Sequence, residues 1–369
     1  MKRVYHQLVH TLSYGDAISG EVLSLRRALR QHGIVSEIYA INVHPRLKGE
    51  ALDYRELPDD FSGDLILHYS LGSPLNDLYR SLCKARRTLI YHNLTPPHWF
   101  ESVNPVIFQN VTRGLKELPE LCKVSDILLA DSPFNASELG KLGFKADVLE
   151  LPLDPERWNL ATDNGIAQAL KAAPGIHLLH VGRLAPNKCI EDIIKTFYFL
   201  HHHFCKDSRL WLAGIDTDTE LYGFELRRLA CELRVDHAVE FTGGLSDSQL
   251  KALYENSTFY LCMSEHEGFC LPLVEAMHFR LPVIAYASSA IPDTMADAGV
   301  LLHEKHHAEI AALIYRIYKD NRLYSRLQEA GAEREKQLSY QRFVEQVAQY
   351  FISDCGLKSA SAAGGAALN

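Results

Sequence analysis

Short apolar runs alternate with stretches of helical period along nearly the whole chain, and this pattern limits the folds available more than any other feature. In the first half the runs are "VYHQLVHTL", "SEIYAI", "DLILHY", "TLIYH" and "SDILLAD"; in the second they are "IHLLHVG", "RLWLAG", "AVEFTGG", "TFYLCM", "LPVIAY" and "GVLLH". Most are apolar on consecutive positions, as strands covered on both faces require. Between the first two, Ile18, Val22, Leu25 and Leu29 recur at helical spacing, and Gly33 follows where a C-terminal cap belongs. Strand, helix, strand at this spacing implies a right-handed crossover and a parallel sheet. The second half repeats the scheme, with "CIEDIIKTFYFLHHHF", "TELYGFELRRLACELRV", "SDSQLKALYEN" and "PLVEAMHFR" as the intervening helices.

The two halves meet at "ELPLDPERW", where Pro152 and Pro155 interrupt the pattern. The expectation is an α/β chain of two doubly wound Rossmann-like domains facing across a cleft. They would span residues 1–152 and 153–337, with a last helix over 338–355 packing back toward the first domain. The small-residue tail 356–369 reads as disordered. A length of 369 residues suits two domains. In doubly wound folds ligands bind outside the carboxyl ends of the strands, so the loops there are where chemistry should lie.

Composition removes several classes. The formal net charge of −8 argues against a nucleic-acid partner. The eight cysteines, Cys83, Cys122, Cys189, Cys205, Cys231, Cys262, Cys270 and Cys355, form no C-x-x-C pair. They read as buried free thiols of a reducing compartment rather than disulfides or a zinc site. "MKRVYHQLVH", with its short apolar part broken by His and Gln, does not read as a signal peptide, and no run reaches the roughly 18 apolar residues of a spanning helix. A cytoplasmic protein is expected, with peripheral contact at the cytoplasmic face of the membrane as an option.

The densest motif is "SEHEGFCLPLVEAMHFRLPVIAY", residues 264–286. It places Glu267 in the loop after a strand and Glu275 in the helix that follows. Pro272 suits the first helical turn. The amides of Phe269, Cys270 and Leu271 should then point out of a helix N-terminus, where they can bind anions or sugar hydroxyls. Two carboxylates complementing a helix dipole are the plain alternative. The string resembles the E-x7-E signature of the retaining GT-B glycosyltransferases of family 4, here "EGFCLPLVEAMH", with Cys270 where that family usually has glycine. The resemblance implies that Glu267 and the following amides hold a donor sugar and that Glu275 binds the nucleotide ribose.

Other segments extend the resemblance. "HVGRLAPNKCIEDIIKTF" is similar to the family's G-R-L-x-x-x-K-G segment, with Arg183 and Lys188 as the cations and Cys189 for the common glycine. Such cations can stabilise a departing diphosphate without metal. "VEFTGGLSDSQL" resembles the segment framing the nucleobase, which implicates Gly244 and Leu245; Ser246 also reads as an ordinary N-cap. "YGDAISGEVLSLRRALRQHG" occupies the place of the family's glycine-pair loop. The pair itself is absent, leaving the amides of Gly15, Asp16 and Ala17 to approach the diphosphate and the Asp16 carboxylate to lie near a sugar or to serve the turn. In "YHNLTPPHWF", His92 at a strand end matches a histidine that contacts the donor sugar's hydroxymethyl group.

Three features read as decoys. Asp216 and Asp218 imitate the D-x-D metal site of the other glycosyltransferase fold, but Asp218 reads as a helix start. His201, His202 and His203 read as a polar helix end whose imidazolium complements the dipole. "KARR" at 84–87, beside Arg80, reads as solvated surface, with anionic lipid as its functional alternative.

The resemblance thus implies a retaining glycosyltransferase with no metal and no cofactor beyond its GDP- or UDP-linked donor. It would transfer a hexose, with mannose from GDP-mannose preferred, to a glycan or lipid-linked acceptor in polysaccharide or glycoconjugate synthesis. A nucleotide-sugar epimerase of the same architecture and a non-catalytic nucleotide-sugar-binding protein are the alternatives. A dehydrogenase is disfavoured because no G-x-G-x-x-G occurs.

Overall fold

The computed structural model describes residues 3–352. The chain divides into two compact units. One gathers the chain up to Leu94, Thr112–Pro152 and the described residues from Gln341 onward; the other gathers Thr95–Val111 and Leu153–Tyr340.

The first unit is built on strands β1 (Tyr5–Leu12), β2 (Ile38–Val43), β3 (Leu52–Asp53), β4 (Asp64–Tyr69), β5 (Arg86–Tyr91), β6 (Ile127–Ala130) and β7 (Asp147–Val148). They lie in the order β3-β2-β1-β4-β5-β6-β7, parallel throughout. The second unit has β8 (His177–Val181), β9 (Arg209–Ala213), β10 (Val239–Gly243), β11 (Phe259–Cys262), β12 (Val283–Tyr286) and β13 (Val300–Leu302), parallel in the order β10-β9-β8-β11-β12-β13. Each sheet winds outward from its first strand and then returns to that strand's other side. The strand order therefore reverses between β1 and β4 in one unit and between β8 and β11 in the other, and a crevice opens at the carboxyl ends there.

The apolar runs form these sheets because both faces are covered. Leu178, Leu210, Phe259, Leu261 and Ile284 are fully buried with Ile190, Ile193, Ile194 and Phe197. The last four share one stripe of the helix Ile190–Phe199. Each such side chain contributes about 1.5–3 kcal/mol on burial. In the first unit the closing helix Tyr340–Val347 and the turn after it return to the sheet. The Tyr5 hydroxyl donates to Phe351 O at 3.0 Å, and that of Tyr350 to Val148 O at 3.0 Å.

Several expectations change. β3 and β7 have two residues each, too few to leave an apolar run. Thr95–Val111 falls with the second unit, where the Asn104 amide donates to Asp218 O at 2.8 Å and Trp99 packs on the core. The residues Leu200–Phe204 form one wide turn in which His201 is buried. Burial and the nearby His237 push its pKa down, so it is no dipole-complementing imidazolium. Helix Glu220–Glu232 starts after Asp218, with Thr219 at the N-cap. Cys83 and Cys231 are exposed, whereas Cys122, Cys189, Cys262 and Cys270 are buried. The "KARR" segment runs into the amino end of β5, opposite the end that carries His92, and Arg80 is paired with Asp77. Cys355, the stretch 353–355 expected to end the last helix and the tail 356–369 lie outside the described residues. Among the described residues, no helix is long and apolar enough to cross a membrane.

Candidate active site

In the second unit Lys188 and Glu267 lie in the loops at the carboxyl ends of β8 and β11, where the strand order reverses. The loop after β8 runs from Gly182 to Cys189, and the loop after β11 from Met263 to Cys270. They are tied together: Glu265 N donates to Asn187 O at 2.9 Å, and the Asn187 amide donates to His266 O at 3.0 Å. The β8 loop also leans on the loop after β9. A Cβ at Gly214 would stand 1.8 Å from Gly182 O, so only glycine permits this approach.

This frame brings Lys188 and Glu267 together. The Lys188 ammonium lies 2.7 Å from both Glu267 carboxylate oxygens. Burial would push the Lys188 pKa down, but the Glu267 carboxylate overrides it and the pKa is raised. Burial would likewise push Glu267 up, and Lys188 brings it below its ordinary value. Each therefore holds the other charged, Glu267 buried and Lys188 half-buried. The backbone of Glu267 is fixed too, its amide donating to Ser289 Oγ at 2.7 Å. An ammonium has three donors, so Lys188 can hold the carboxylate and still offer an N–H to an anion.

The helix Leu271–His278 starts at this point, with Pro272 in its first turn and Cys270 as N-cap. Cys270 is left-handed, φ 70° and ψ 61°, and Cys189 at the start of the other helix is left-handed as well, φ 48° and ψ 50°. Glycine is the residue such positions favour. The two cysteines thus keep the glycine backbone and add a thiol. Among the described residues, the amides of Phe269, Cys270 and Leu271 donate to no protein acceptor, as is usual at a helix N-terminus. Phe269 O is held by the Thr294 hydroxyl at 2.5 Å.

Glu275 is one turn further on and buried. Its Oε1 accepts from Arg157 Nη1 at 2.5 Å and its Oε2 from the Tyr254 hydroxyl at 2.7 Å. Arg157 also donates to Asp247 Oδ1 at 2.9 Å and lies 4.5 Å over the Trp158 ring. It thereby links Glu275 to the turn containing Gly244 and Leu245. That turn enters the helix Asp247–Asn256 through Ser246, a capping box closed by Gln249. Sequence reasoning missed Arg157 and Tyr254. Arg157 lay in what read as a linker, and Tyr254 on a helix with no motif.

Arg183 donates to Asp218 Oδ2 at 2.6 Å and sits 5.4 Å over the Phe100 ring. Asp216 accepts from Arg227 at 2.7 Å. Each aspartate of the D-x-D string is turned to an arginine of its own.

In the first unit the turn after β1 has Gly15 left-handed at φ 78°, and helix Ala17–Gln31 follows at once. Asp16 is its N-cap, accepting from Ser19 N and Ser19 Oγ at 3.0 Å each. The carboxylate thus serves the helix end, the turn role considered for it. His92 follows β5 but is buried, with both ring nitrogens facing internal partners: Nε2 lies 2.9 Å from His68 Nδ1, and Nδ1 lies 3.4 Å from Asp131 Oδ2.

Comparison with known proteins agrees with this geometry. Residues 163–334 match the family described as glycosyl transferases group 1. A GDP-mannose:cellobiosyl-diphosphopolyprenol alpha-mannosyltransferase of Xanthomonas campestris is 36% identical over 116 residues, 31% of this chain and 29% of that protein. The O-antigen chain mannosyltransferase B of Escherichia coli is 24% identical over 245 residues, 63% of this chain and 61% of that protein. The match thus spans less than a third of the first relative and less than two thirds of the second. The structure of HepE from Anabaena with UDP and glucose superposes with a TM-score of 0.73 at 16% identity, covering 94% of this chain and 98% of that one. That likeness shows the GT-B fold.

Proposed function

We propose that this chain, whose residues 163–334 form a group 1 glycosyl transferase domain on the GT-B fold, transfers a hexose from a nucleotide diphosphate sugar to a glycan or lipid-linked acceptor. The observation that carries the reading is the pair of the half-buried Lys188 and the buried Glu267 beside the helix N-terminus at Phe269–Leu271, at the point where the strand order reverses. Mannose is the preferred hexose and GDP-mannose the preferred donor, supported by the names of the mannosyltransferase relatives.

Lys188 and Arg183 would face the departing diphosphate, where groups aimed at developing charge lower the barrier. Glu267, fixed by Lys188 and Ser289, would orient the sugar with the amides of residues 269–271. Glu275, oriented by Arg157 and Tyr254, would hold the ribose, and main-chain groups at Gly244 and Leu245 the base. The transfer proceeds with retention by front-face attack, the donor phosphate assisting deprotonation of the acceptor. No side chain is then needed as a covalent nucleophile. Two cations and a helix N-terminus do the work a metal would do, so no metal is required.

Measuring nucleoside diphosphate release from a panel of nucleotide sugars, with and without glycan acceptors, tests this reading. Conversion of a donor to its epimer without acceptor would favour the epimerase alternative. Binding without any turnover would favour a non-catalytic carrier.

A further inference from the structure

The first unit buries a cluster of ionisable groups that the transfer reading leaves unused. Gln7 from β1, Glu21 from the helix Ala17–Gln31, His68 from β4, His92 after β5 and Asp131 after β6 are all buried. Their hydrogen bonds fix where the protons are. Gln7 Nε2 donates to Val22 O at 3.3 Å and to Ser36 Oγ at 3.4 Å, so its Oε1 is the atom facing His68 Nε2 at 2.9 Å. An amide oxygen only accepts, so His68 Nε2 carries hydrogen. Burial and the adjacent His92 push the His68 pKa well down, so the ring is neutral and its Nδ1 bears a lone pair. His92 Nε2 lies 2.9 Å from that lone pair and must donate to it.

The chain of donors therefore ends at His92 Nδ1. It faces Glu21 Oε2 and Asp131 Oδ2, each at 3.4 Å. In a neutral His92 this nitrogen would present a lone pair to the Asp131 carboxylate, and only a proton kept on the neighbouring Glu21, whose pKa burial raises, could meet it. Asp131 has a second donor in the Asn135 amide, which bonds its Oδ1. Glu21 has none: both of its oxygens are buried without a hydrogen-bond partner. An unpaired buried carboxylate is costly, and a proton on the facing nitrogen relieves it.

We propose that Glu21 is a positioning residue that keeps His92 doubly protonated, with Nδ1–H between Glu21 and Asp131 and Nε2–H locked onto His68. The titratable groups facing His92 are Glu21 and the cap Asp16 from the first helix, Asp131 from the β6 end and the neutral His68 from β4. The ring cannot turn outward without breaking contacts on both sides. His92 then acts on a ligand through its fixed positive charge and its main chain, not through a free ring nitrogen. This consequence rests on the transfer reading; the protonation state does not.

Nitrogen-15 NMR of the histidine rings in the full chain tests it. In the wild type, both His92 nitrogens carry protons at pH 7. Glu21→Gln, close to isosteric, lowers the His92 midpoint by roughly one unit or more and leaves Nδ1 bare at pH 7, while Asp131→Asn moves it less. If transfer is observed, the alkaline limb of its pH profile moves down with the midpoint in Glu21→Gln, at unchanged donor KM. A wild-type His92 that is neutral at pH 7 overturns the proposal, and this reading needs no variant to fold. So does a Glu21→Gln midpoint equal to wild type, or one that only Asp131→Asn shifts. The spectrum reports the proton whether or not any sugar is transferred, so its failure is separable from failure of the transferase reading.

Discussion

Both carboxylate oxygens of Glu267 lie 2.7 Å from the Lys188 ammonium, across 79 residues of chain. The pair joins the loops on the two sides of the strand-order reversal. It fixes Glu267 for one task and leaves Lys188 a donor for another.

Lys188→Ala strands a buried carboxylate, and removal of one partner of such a pair costs about 3–5 kcal/mol. The loss depends on pH with a definite sign. Glu267 has a folded pKa below its ordinary 4.5, so its contribution is present above that value and is lost as pH falls through the folded pKa. Urea unfolding should show the full deficit of the variant at pH 7 and a smaller one at acid pH. A pH-independent deficit would mean that the cost is packing alone.

Arg183 behaves differently. Its side chain and that of its partner Asp218 are 36% and 38% exposed, and such pairs add about 0–1 kcal/mol to stability. Arg183→Ala should leave the melting transition nearly unchanged and slow transfer by roughly 3–4 kcal/mol of barrier. Thermal denaturation and initial rates on one preparation check both halves.

Glu275 is oriented by Arg157 and Tyr254, so a ribose role makes all three count. Glu275→Gln and Arg157→Met should each weaken nucleoside diphosphate binding by about 1.5–3 kcal/mol, the range for hydrogen bonds to charged groups. Calorimetric titration of the free nucleotide measures it. Wild-type affinity in both variants would remove Glu275 from the ribose site.

Burial, partly offset by His92, raises the Glu21 pKa from 4.5 to about 7. Below that value the folded Glu21–His92 pair keeps a proton that Glu21 has released in the unfolded chain. Stability from this group should fall as pH rises from 4.5 to about 7. Denaturant midpoints across that interval should decline more steeply in the wild type than in Glu21→Gln, where the position cannot ionise.

Much of this was legible because pattern and backbone agree. The strands "DLILHY" and "TFYLCM" announce themselves as buried apolar runs, and Ser246 caps its helix with Gln249 as the S-x-x-Q spacing indicates. The departures Cys189 and Cys270 still occupy glycine-type left-handed positions, which is why the flanking motifs could be placed around them. What was not legible depends on contacts distant in sequence. Nothing near Arg157 signals that it reaches Glu275, 118 positions away. Asp16 could be a ligand or a cap, and only its bonds to Ser19 identify it as a cap. Nor does a sequence show that Glu21, His68 and Asp131 surround the His92 ring.

The most direct test of the central claim is nucleoside diphosphate release from GDP-mannose and other nucleotide sugars in excess EDTA, by wild type, Lys188→Ala and the Asp216→Asn, Asp218→Asn double variant. Acceptor-dependent release with one donor is expected. Release persists in chelator and in the double variant, whose aspartates bond Arg227 and Arg183, and it collapses in Lys188→Ala. Release that stops on chelation and returns with manganese or magnesium, or that proceeds undiminished without Lys188, would contradict it.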